Sequence, residues 1–335
     1  MDKITVAING FGRIGRLVFR ILMQRPNVEV VAINDLAEIN MLAHLLKYDT
    51  AHHKYEGSIA VEGDHLVVDG KKIRTLAIKE PQALPWKELG IDLVLECTGL
   101  FRKAEQAALH LEAGAKKVLI SAPAKGEGVK TVLLGVNEEQ LNAEDKIVSN
   151  ASCTTNCLAH MVKVLNDHFS IEKGFVTTVH AYTADQKLHD APHKEDFRRA
   201  RAAAMNIIPT TTNAGSALGV VIPEMKGKIH STAMRVPVID GSITELNAIL
   251  KQDVTVEAIN AAFKQEAEGR LKGIMEYTEE ELVSSDIIGN PHSTIFDSKL
   301  TAVDGNFVKI TAWYDNEFGY STRLADVVEY LRKIS

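Results

Sequence analysis

Residues 3–35 restrict this chain to very few folds. Lys3-Ile-Thr-Val-Ala-Ile8 reads as a buried strand, and Asn9 leads directly into Gly10-Phe-Gly-Arg-Ile-Gly15, which opens an amphipathic helix over 16–24. A second apolar strand, Val28-Glu-Val-Val-Ala-Ile33, ends at Asn34-Asp35, twenty residues past the last glycine. A bare G-x-G-x-x-G carries little information. With a strand before it, a helix after it and an acid at that distance, it is the dinucleotide site of a doubly wound α/β sheet. Gly10 serves the tight turn, Gly12 the approach of a pyrophosphate and Gly15 the packing of helix on strand, while the helix N-terminus receives the phosphates. Asp35 can accept from ribose hydroxyls and repels a 2′-phosphate, so NAD is expected over NADP.

The rest of the first half continues the pattern. Ile91-Asp-Leu-Val-Leu-Glu96 and Lys117-Val-Leu-Ile120 read as buried parallel strands around a helix over 103–113, and their tips, Cys97-Thr-Gly99 and Ser121-Ala-Pro123, should line the crevice. Between 47 and 86 short alternating segments such as Ser58-Ile-Ala-Val61 and His65-Leu-Val-Val68 suggest a small antiparallel excursion. At 335 residues a second domain is expected. A formal charge of −6 gives no general attraction to nucleic acid or anionic membrane. The three cysteines form no disulfide framework, and neither a signal-peptide pattern nor an apolar run of spanning length is present, so a cytoplasmic protein without membrane contact is expected. No His/Cys/Asp cluster has ligand spacing, and no metal is expected.

In the second half one thiol stands where a strand gives way to a helix. Lys146-Ile-Val-Ser149 ends a strand; beyond Ser149-Asn-Ala-Ser-Cys-Thr-Thr-Asn-Cys157, Leu158, Met161, Val162, Leu165 and Phe169 recur at helical spacing. Cys153 therefore sits at a helix N-terminus, where unpaired N–H groups and the helix dipole favour the reactive thiolate. Such a nucleophile needs a partner for its proton, and the strand Gly174-Phe-Val-Thr-Thr-Val-His-Ala-Tyr182 delivers His180. The irregular stretch 183–206 is rich in cations, among them Lys187, Arg198, Arg199 and Arg201. Arg235 stands amid apolar residues and should have an anionic partner, a buried carboxylate or a phosphate. Strands over 242–250 and 307–313 with a helix over 256–268 suggest an antiparallel sheet backed by helices, and a last helix places Leu324, Val327, Val328 and Leu331 on one face.

With these residues in place the chain closely resembles the phosphorylating glyceraldehyde-3-phosphate dehydrogenases. The likeness runs nearly end to end and is densest at Ile8-Asn-Gly-Phe-Gly-Arg-Ile-Gly-Arg16, Ser149–Cys157 and Trp313-Tyr-Asp-Asn-Glu317 with Gly319-Tyr-Ser321. The resemblance implies a Rossmann-type domain of residues 1–150 joined by the C-terminal helix 317–335, an α+β catalytic domain over 151–316 with a mainly antiparallel sheet, and a homotetramer. It implies Cys153 as nucleophile and His180 as base. Arg13 and Ile14 would lie on the pyrophosphate, Asp35 on the ribose, Lys79 and Ser121 along the cofactor and Asn316 beside the nicotinamide amide. Thr183 and Arg235 would anchor the phosphate of glyceraldehyde 3-phosphate; Ser152, Thr154, Thr212 and Arg199 would serve the phosphate sites, including that of inorganic phosphate.

The chain departs from the family pattern at Thr212-Asn213, where Thr-Gly is usual in the phosphate-binding turn, and at Ala191-Pro192, where Leu-Pro is usual. A smaller residue at 191 leaves room for a 2′-phosphate, so secondary use of NADP is expected beside NAD. The unusual turn leaves another phosphorylated aldose, such as erythrose 4-phosphate, open as substrate, and a non-catalytic binding protein is the alternative on the same scaffold.

Overall fold

The computed structural model describes residues 3–194 and 196–334; Met1, Asp2 and Ser335, at the outer ends of the expected first domain, and Glu195, inside the cation-rich stretch, lie outside the described residues. Packing groups the chain into two units, one made of Met1–Val132, Glu139–Ala151 and Ser321–Ser335, the other of Leu133–Glu138 and Ser152–Tyr320.

The first unit holds strands β1 (Ile4–Asn9), β2 (Val28–Asn34), β3 (Ile59–Glu62), β4 (His65–Val68), β5 (Lys71–Leu76), β6 (Leu93–Glu96), β7 (Lys117–Ile120), β8 (Lys130–Thr131) and β9 (Ile147–Ser149). They form one sheet in the order β3-β4-β5-β2-β1-β6-β7-β9-β8. From β5 through β8 every pairing is parallel, whereas β3, β4 and β5 pair antiparallel as the expected excursion. The chain runs outward from β1 on one side and resumes at β6 on the other. The switch point, where ligands of open α/β sheets bind, thus falls between β1 and β6. Helices α1 (Arg13–Leu22), α2 (Ile39–Lys47) and α3 (Ala104–Glu112) belong to this unit. The first begins three residues earlier than its apolar periodicity suggests, because Gly12 is its N-cap and Arg13 and Ile14 form its first turn.

The second unit contains α4 (Cys153–Phe169), β10 (Ile171–Ala181), β11 (Ile208–Thr211), α5 (Ala214–Val221), β12 (Ile229–Val236), β13 (Ser242–Leu250), α6 (Val256–Glu268), β14 (Met275–Thr278), β15 (Thr294–Asp297), β16 (Ala302–Asp304) and β17 (Phe307–Tyr314). Its sheet runs β11-β12-β10-β13-β17-β15-β14, with β16 paired to β17. Most pairings are antiparallel; β10 with β12 and β14 with β15 are parallel. Alternation along β13 is strict, Ser242, Thr244, Leu246, Ala248 and Leu250 being buried and the residues between them half-buried. Helix α4 packs on β10, β13, β15 and β17, and Phe263 of α6 stacks on Phe296 of β15 at 3.9 Å.

Helix α7 (Phe318–Ile334) carries the chain back into the first unit at Ser321. Its apolar face, Leu324, Val327, Val328 and Leu331, is fully buried, and Arg25 at the end of the α1 turn pairs with Asp326 at 2.8 Å and Glu329 at 2.9 Å.

Candidate active site

In the first unit β1 delivers the glycine loop. Gly10 has φ +93°, and a Cβ there would fall 2.7 Å from the Thr98 nitrogen; a Cβ on Gly15 would collide with the Gly10 carbonyl, whereas one on Gly12 would project into open space. Gly12 is the N-cap of α1 and supplies no side-chain acceptor, and the first turn holds no acidic residue. A helix start with its positive end exposed beside a glycine that leaves space fits a dinucleotide pyrophosphate. The Asp35 carboxylate accepts from the Phe11 backbone N–H at 2.7 Å and from that of Ala37 at 3.0 Å, tying the acid to the loop. Arg13 forms a 2.5 Å ion pair with Asp49, so its charge is already balanced; what it offers a phosphate is its place in the first turn. Ser121 follows β7 and donates its backbone N–H to the Glu96 carbonyl at the tip of β6 at 3.0 Å, and Lys79 is exposed beyond Ile78.

In the second unit Cys153 is the first residue of α4. The Ser152 hydroxyl caps the helix, accepting from the Thr155 N–H at 3.0 Å. Buried Thr154 shares a 2.9 Å hydrogen bond with the Tyr314 hydroxyl. His180, near the end of β10, places Nε2 3.5 Å from Cys153 Sγ. Its Nδ1 lies 2.7 Å from the Ala181 carbonyl and against the Arg235 Nη1 donor; a proton on Nδ1, given to that carbonyl, puts the lone pair on the nitrogen facing sulfur. Arg235 is the direct neighbour of His180 in the β10–β12 register; its Nη1 also donates to the Ala181 carbonyl at 2.9 Å and presses on the ring, while its Nε is buried without a partner.

The electrostatics follow from burial. Burial and the adjacent Arg235 charge push the His180 imidazole down to about 3. The Cys153 thiol is pushed up by burial, against the opposing pull of Arg235 and of its hydrogen bonds to Thr154. A neutral thiol beside a neutral imidazole is the resting arrangement, not the free thiolate that helix position alone suggested. Transfer of one proton between them leaves their net charge unchanged. Arg235, Thr154 and the helix N-terminus all favour the sulfur anion when that transfer occurs.

Around this pair the sheet gathers Thr183 and Arg199. The Thr183 hydroxyl donates to Asp185, and Arg199 pairs with the same carboxylate at 2.9 Å while donating to Thr210 Oγ1 at 2.9 Å. Burial alone would raise the Asp185 carboxyl, but the Thr183 bond and the charges of Arg235 and Arg199 outweigh it and hold the group low. The acid therefore keeps company with the residues expected to grip phosphate. The turn at Thr212-Asn213 caps α5: Ala214 N–H donates to Thr212 Oγ1 at 3.3 Å, and Ser231 Oγ donates to the Thr212 carbonyl at 3.1 Å. Asn213 has φ −90° and its side chain makes no cap, so the position does not require the left-handed freedom of glycine. Asn316 accepts at Oδ1 from Ser242 at 2.6 Å, and Ser242 accepts from Ala181 N–H at 3.1 Å, which links Asn316 to the His180 peptide.

Asp185, Ser242 and Tyr314 were not singled out from sequence. Asp185 stands two residues past Thr183 and Tyr314 lies inside the Trp313–Glu317 motif, so both had a local signal. Ser242 had none: only the register that sets Ser242 opposite Tyr314 shows its place.

Known proteins match this sequence over nearly its whole length. Residues 4–104 match the family model described as glyceraldehyde 3-phosphate dehydrogenase, NAD binding domain, and residues 152–316 the model for the C-terminal domain of the same family. Glyceraldehyde-3-phosphate dehydrogenase 1 of Bacillus subtilis is 54% identical over 332 residues, 98% of each chain, and the Clostridium pasteurianum glyceraldehyde-3-phosphate dehydrogenase is 54% identical over 335 residues, 98% of this chain and 99% of the relative. The Mycobacterium avium enzyme of that name is likewise 54% identical, over 337 residues, 98% of this chain and 99% of the relative. Fold and matches define an NAD-dependent oxidoreductase acting on an aldehyde. More narrowly, the chain belongs to the glyceraldehyde-3-phosphate dehydrogenase family.

Proposed function

We propose that this member of the family oxidises D-glyceraldehyde 3-phosphate to 1,3-bisphosphoglycerate, with Cys153 as nucleophile and His180 as its base. The observation that carries the assignment is the 3.5 Å approach of Cys153 Sγ, on the first turn of α4, to His180 Nε2 near the end of β10. His180 takes the thiol proton as sulfur bonds to the aldehyde carbon, returns it to the oxyanion of the thiohemiacetal, and removes it again as the carbon is oxidised. Bound NAD supplies the hydride acceptor. Cys153 is left holding a thioester, and inorganic phosphate attacks its carbonyl carbon, releasing the acyl phosphate and the thiolate, which recovers its proton through His180.

Gly10, Gly12, Arg13, Ile14, Gly15, Asp35, Lys79 and Ser121 hold the cofactor in this reading, and Asn316 orients the nicotinamide amide. Thr183 and Arg235 anchor the substrate phosphate. Ser152, Thr154, Arg199, Thr212 and Asn213 complete the anion sites; their hydroxyls already bridge protein groups, and a hydroxyl keeps a further acceptor or donor position for an oxyanion. Residues 1–150 with the C-terminal helix 317–335 form the NAD-binding domain and 151–316 the catalytic domain. The Asp35 carboxylate supports NAD over NADP, and exposed Ala191 supports a secondary use of NADP.

The same reading makes the protein a cytoplasmic homotetramer. One face of the second sheet carries Phe175, Met234 and Phe307 with substantial exposure, and the stretch 183–206 exposes Leu188, Phe197 and Met205; such patches suit association between copies. Among the described residues no helix is long and apolar enough to cross a membrane, and all three cysteines are free. Steady-state reduction of NAD, and of NADP, by glyceraldehyde 3-phosphate across a range of inorganic phosphate tests the assignment. Turnover should rise with phosphate and exceed that with erythrose 4-phosphate. A rate indifferent to phosphate overturns the phosphorylating reaction.

A further inference from the structure

The carboxyl ends of β1, β2 and β6 are tied together by a buried carboxylate that the reaction does not use. Glu96, the last residue of β6, is 1% exposed. Its Oε2 accepts from Asn9 Nδ2 at 2.6 Å and from His110 Nε2 at 3.0 Å; its Oε1 accepts from the Thr98 backbone N–H at 2.8 Å and from the Thr98 hydroxyl. A carboxylate has about four acceptor positions. All are filled.

The direction of every proton in this network is fixed. Trp86 Nε1–H can only donate, and it donates to His110 Nδ1 at 3.0 Å, so His110 is the neutral tautomer whose Nε2–H points at Glu96. On the other side Asn9 Oδ1 accepts from Asn34 Nδ2 at 2.7 Å, and Asn34 exchanges hydrogen bonds with the Ile78 backbone N–H and carbonyl, both at 2.9 Å. Each anchored residue immediately precedes a segment that faces the cofactor: Asn9 precedes Gly10, Asn34 precedes Asp35, and Glu96 itself precedes the Cys97-Thr98-Gly99 turn. The Thr98 nitrogen held by Glu96 is the atom against which Gly10 is packed, with no room for a Cβ. These tips lie at the switch point of the sheet.

We infer that Glu96 is a positioning residue for NAD: it fixes the Gly10 loop, Asp35 and the Thr98 turn in one mutual register, so that binding does not have to order three strand ends. The inference rests on the reading of that loop as the NAD site. It concerns affinity for the dinucleotide and leaves the chemistry at Cys153 untouched.

Glu96→Gln is nearly the same size but cannot satisfy the network, because whichever way the amide turns, its NH2 faces two donors. Adding Asn9→Asp replaces one of the two donors on the His110 side with an acceptor. The introduced amide keeps its oxygen on Thr98 and turns its NH2 to the introduced carboxylate, which also accepts from Asn34 and lies within reach of His110, since Asn9 Nδ2 and His110 Nε2 are 3.5 Å apart. Titration of tryptophan fluorescence with NAD gives the Kd, with the melting temperature, alkylation of Cys153 by iodoacetamide and kcat at saturating NAD measured alongside. Glu96→Gln should raise the Kd about tenfold, with kcat within about twofold of the parent and unchanged alkylation. The Asn9→Asp/Glu96→Gln pair should return the Kd to within about threefold. Thr98→Val, which removes one donor without altering the charge, should raise it by about threefold, and serves if Glu96→Gln does not fold. An unchanged Kd in Glu96→Gln or Thr98→Val, with or without a lower melting temperature, overturns the inference. So does a loss that Asn9→Asp does not recover. A parent protein that fails to bind NAD would instead refute the cofactor site.

Discussion

The network around Glu96 in the first unit and the Cys153 site in the second place their polar groups under opposite rules. In the first, a buried carboxylate is met by a full set of donors, and every buried side chain around Glu96 has its partner; the result is a fixed frame with nothing left over. In the second, Cys153 is pushed toward its neutral form, His180 is pushed away from its cation, and Arg235 keeps one nitrogen unmatched. A frame that must present backbone to a ligand works best when satisfied, because any unmet donor would compete for the ligand's place. Cys153 and His180 are both held in their neutral forms, so the ion pair made by proton transfer is transient, and its sulfur anion is the partner that Arg235 and Thr154 favour.

Cys153→Ser puts the contrast to its hardest test. Turnover should fall by about 10⁴-fold or more while the Kd for NAD stays within about twofold, since an alcohol is far less acidic than a thiol. A large change in NAD affinity would break the division of labour. The acid limb of stability comes next. His180 has its folded value near 3 against an ordinary 6.5, so the unfolded chain binds the extra proton; its contribution is fully present above about 6.5 and is lost as pH falls toward 3. Denaturant unfolding across that range should show a loss on the order of a few kcal/mol, and His180→Phe should flatten it. An unaltered slope in the variant would mean that His180 is not the neutral partner described.

Arg235→Leu should raise KM for the aldehyde phosphate by about 30- to 100-fold, the worth of a charge-assisted hydrogen bond, with NAD binding intact. Equal losses in both affinities would blur the comparison. The smallest effects separate two glycines of one loop. Gly15→Ala should cost about 2 kcal/mol of stability by collision with the Gly10 carbonyl, whereas Gly12→Ala, facing open space, should cost under about 1 kcal/mol and weaken NAD binding instead. Melting curves and NAD titrations of the pair distinguish folding glycine from binding glycine.

How far each region could be read from sequence follows the same line. The cofactor loop is contiguous, so Gly10 to Gly15 and Asp35 stand out by spacing alone, and the fold class followed from them. Helix α2 has no comparable signal, because only Leu42 and Leu46 are buried along it and its stripe is thin. Cys153 and His180 were legible as types in suitable settings, yet their 3.5 Å contact is made by α4 lying on β10, which no local pattern states. Ser242 and Asp185 are ordinary residues until strand register or a loop return gives them partners. Glu96 reads as the end of an apolar strand; that it is a fully bonded carboxylate is legible only once parallel pairing sets Asn9 beside it and α3 brings His110 to it.

The return of α7 sets an order of events during synthesis. The sheet of the first unit is complete once Ser149 has been made, but the helix that buries Leu324, Val327 and Leu331 and neutralises Arg25 follows only after the whole intervening stretch up to Phe318. At roughly 5–20 residues per second the wait is on the order of ten to forty seconds. Throughout it the nascent nucleotide unit exposes an uncovered apolar strip, so this protein is born needing protection from its neighbours, and a ribosome that stalls before α7 leaves a sticky fragment, not a half-working enzyme.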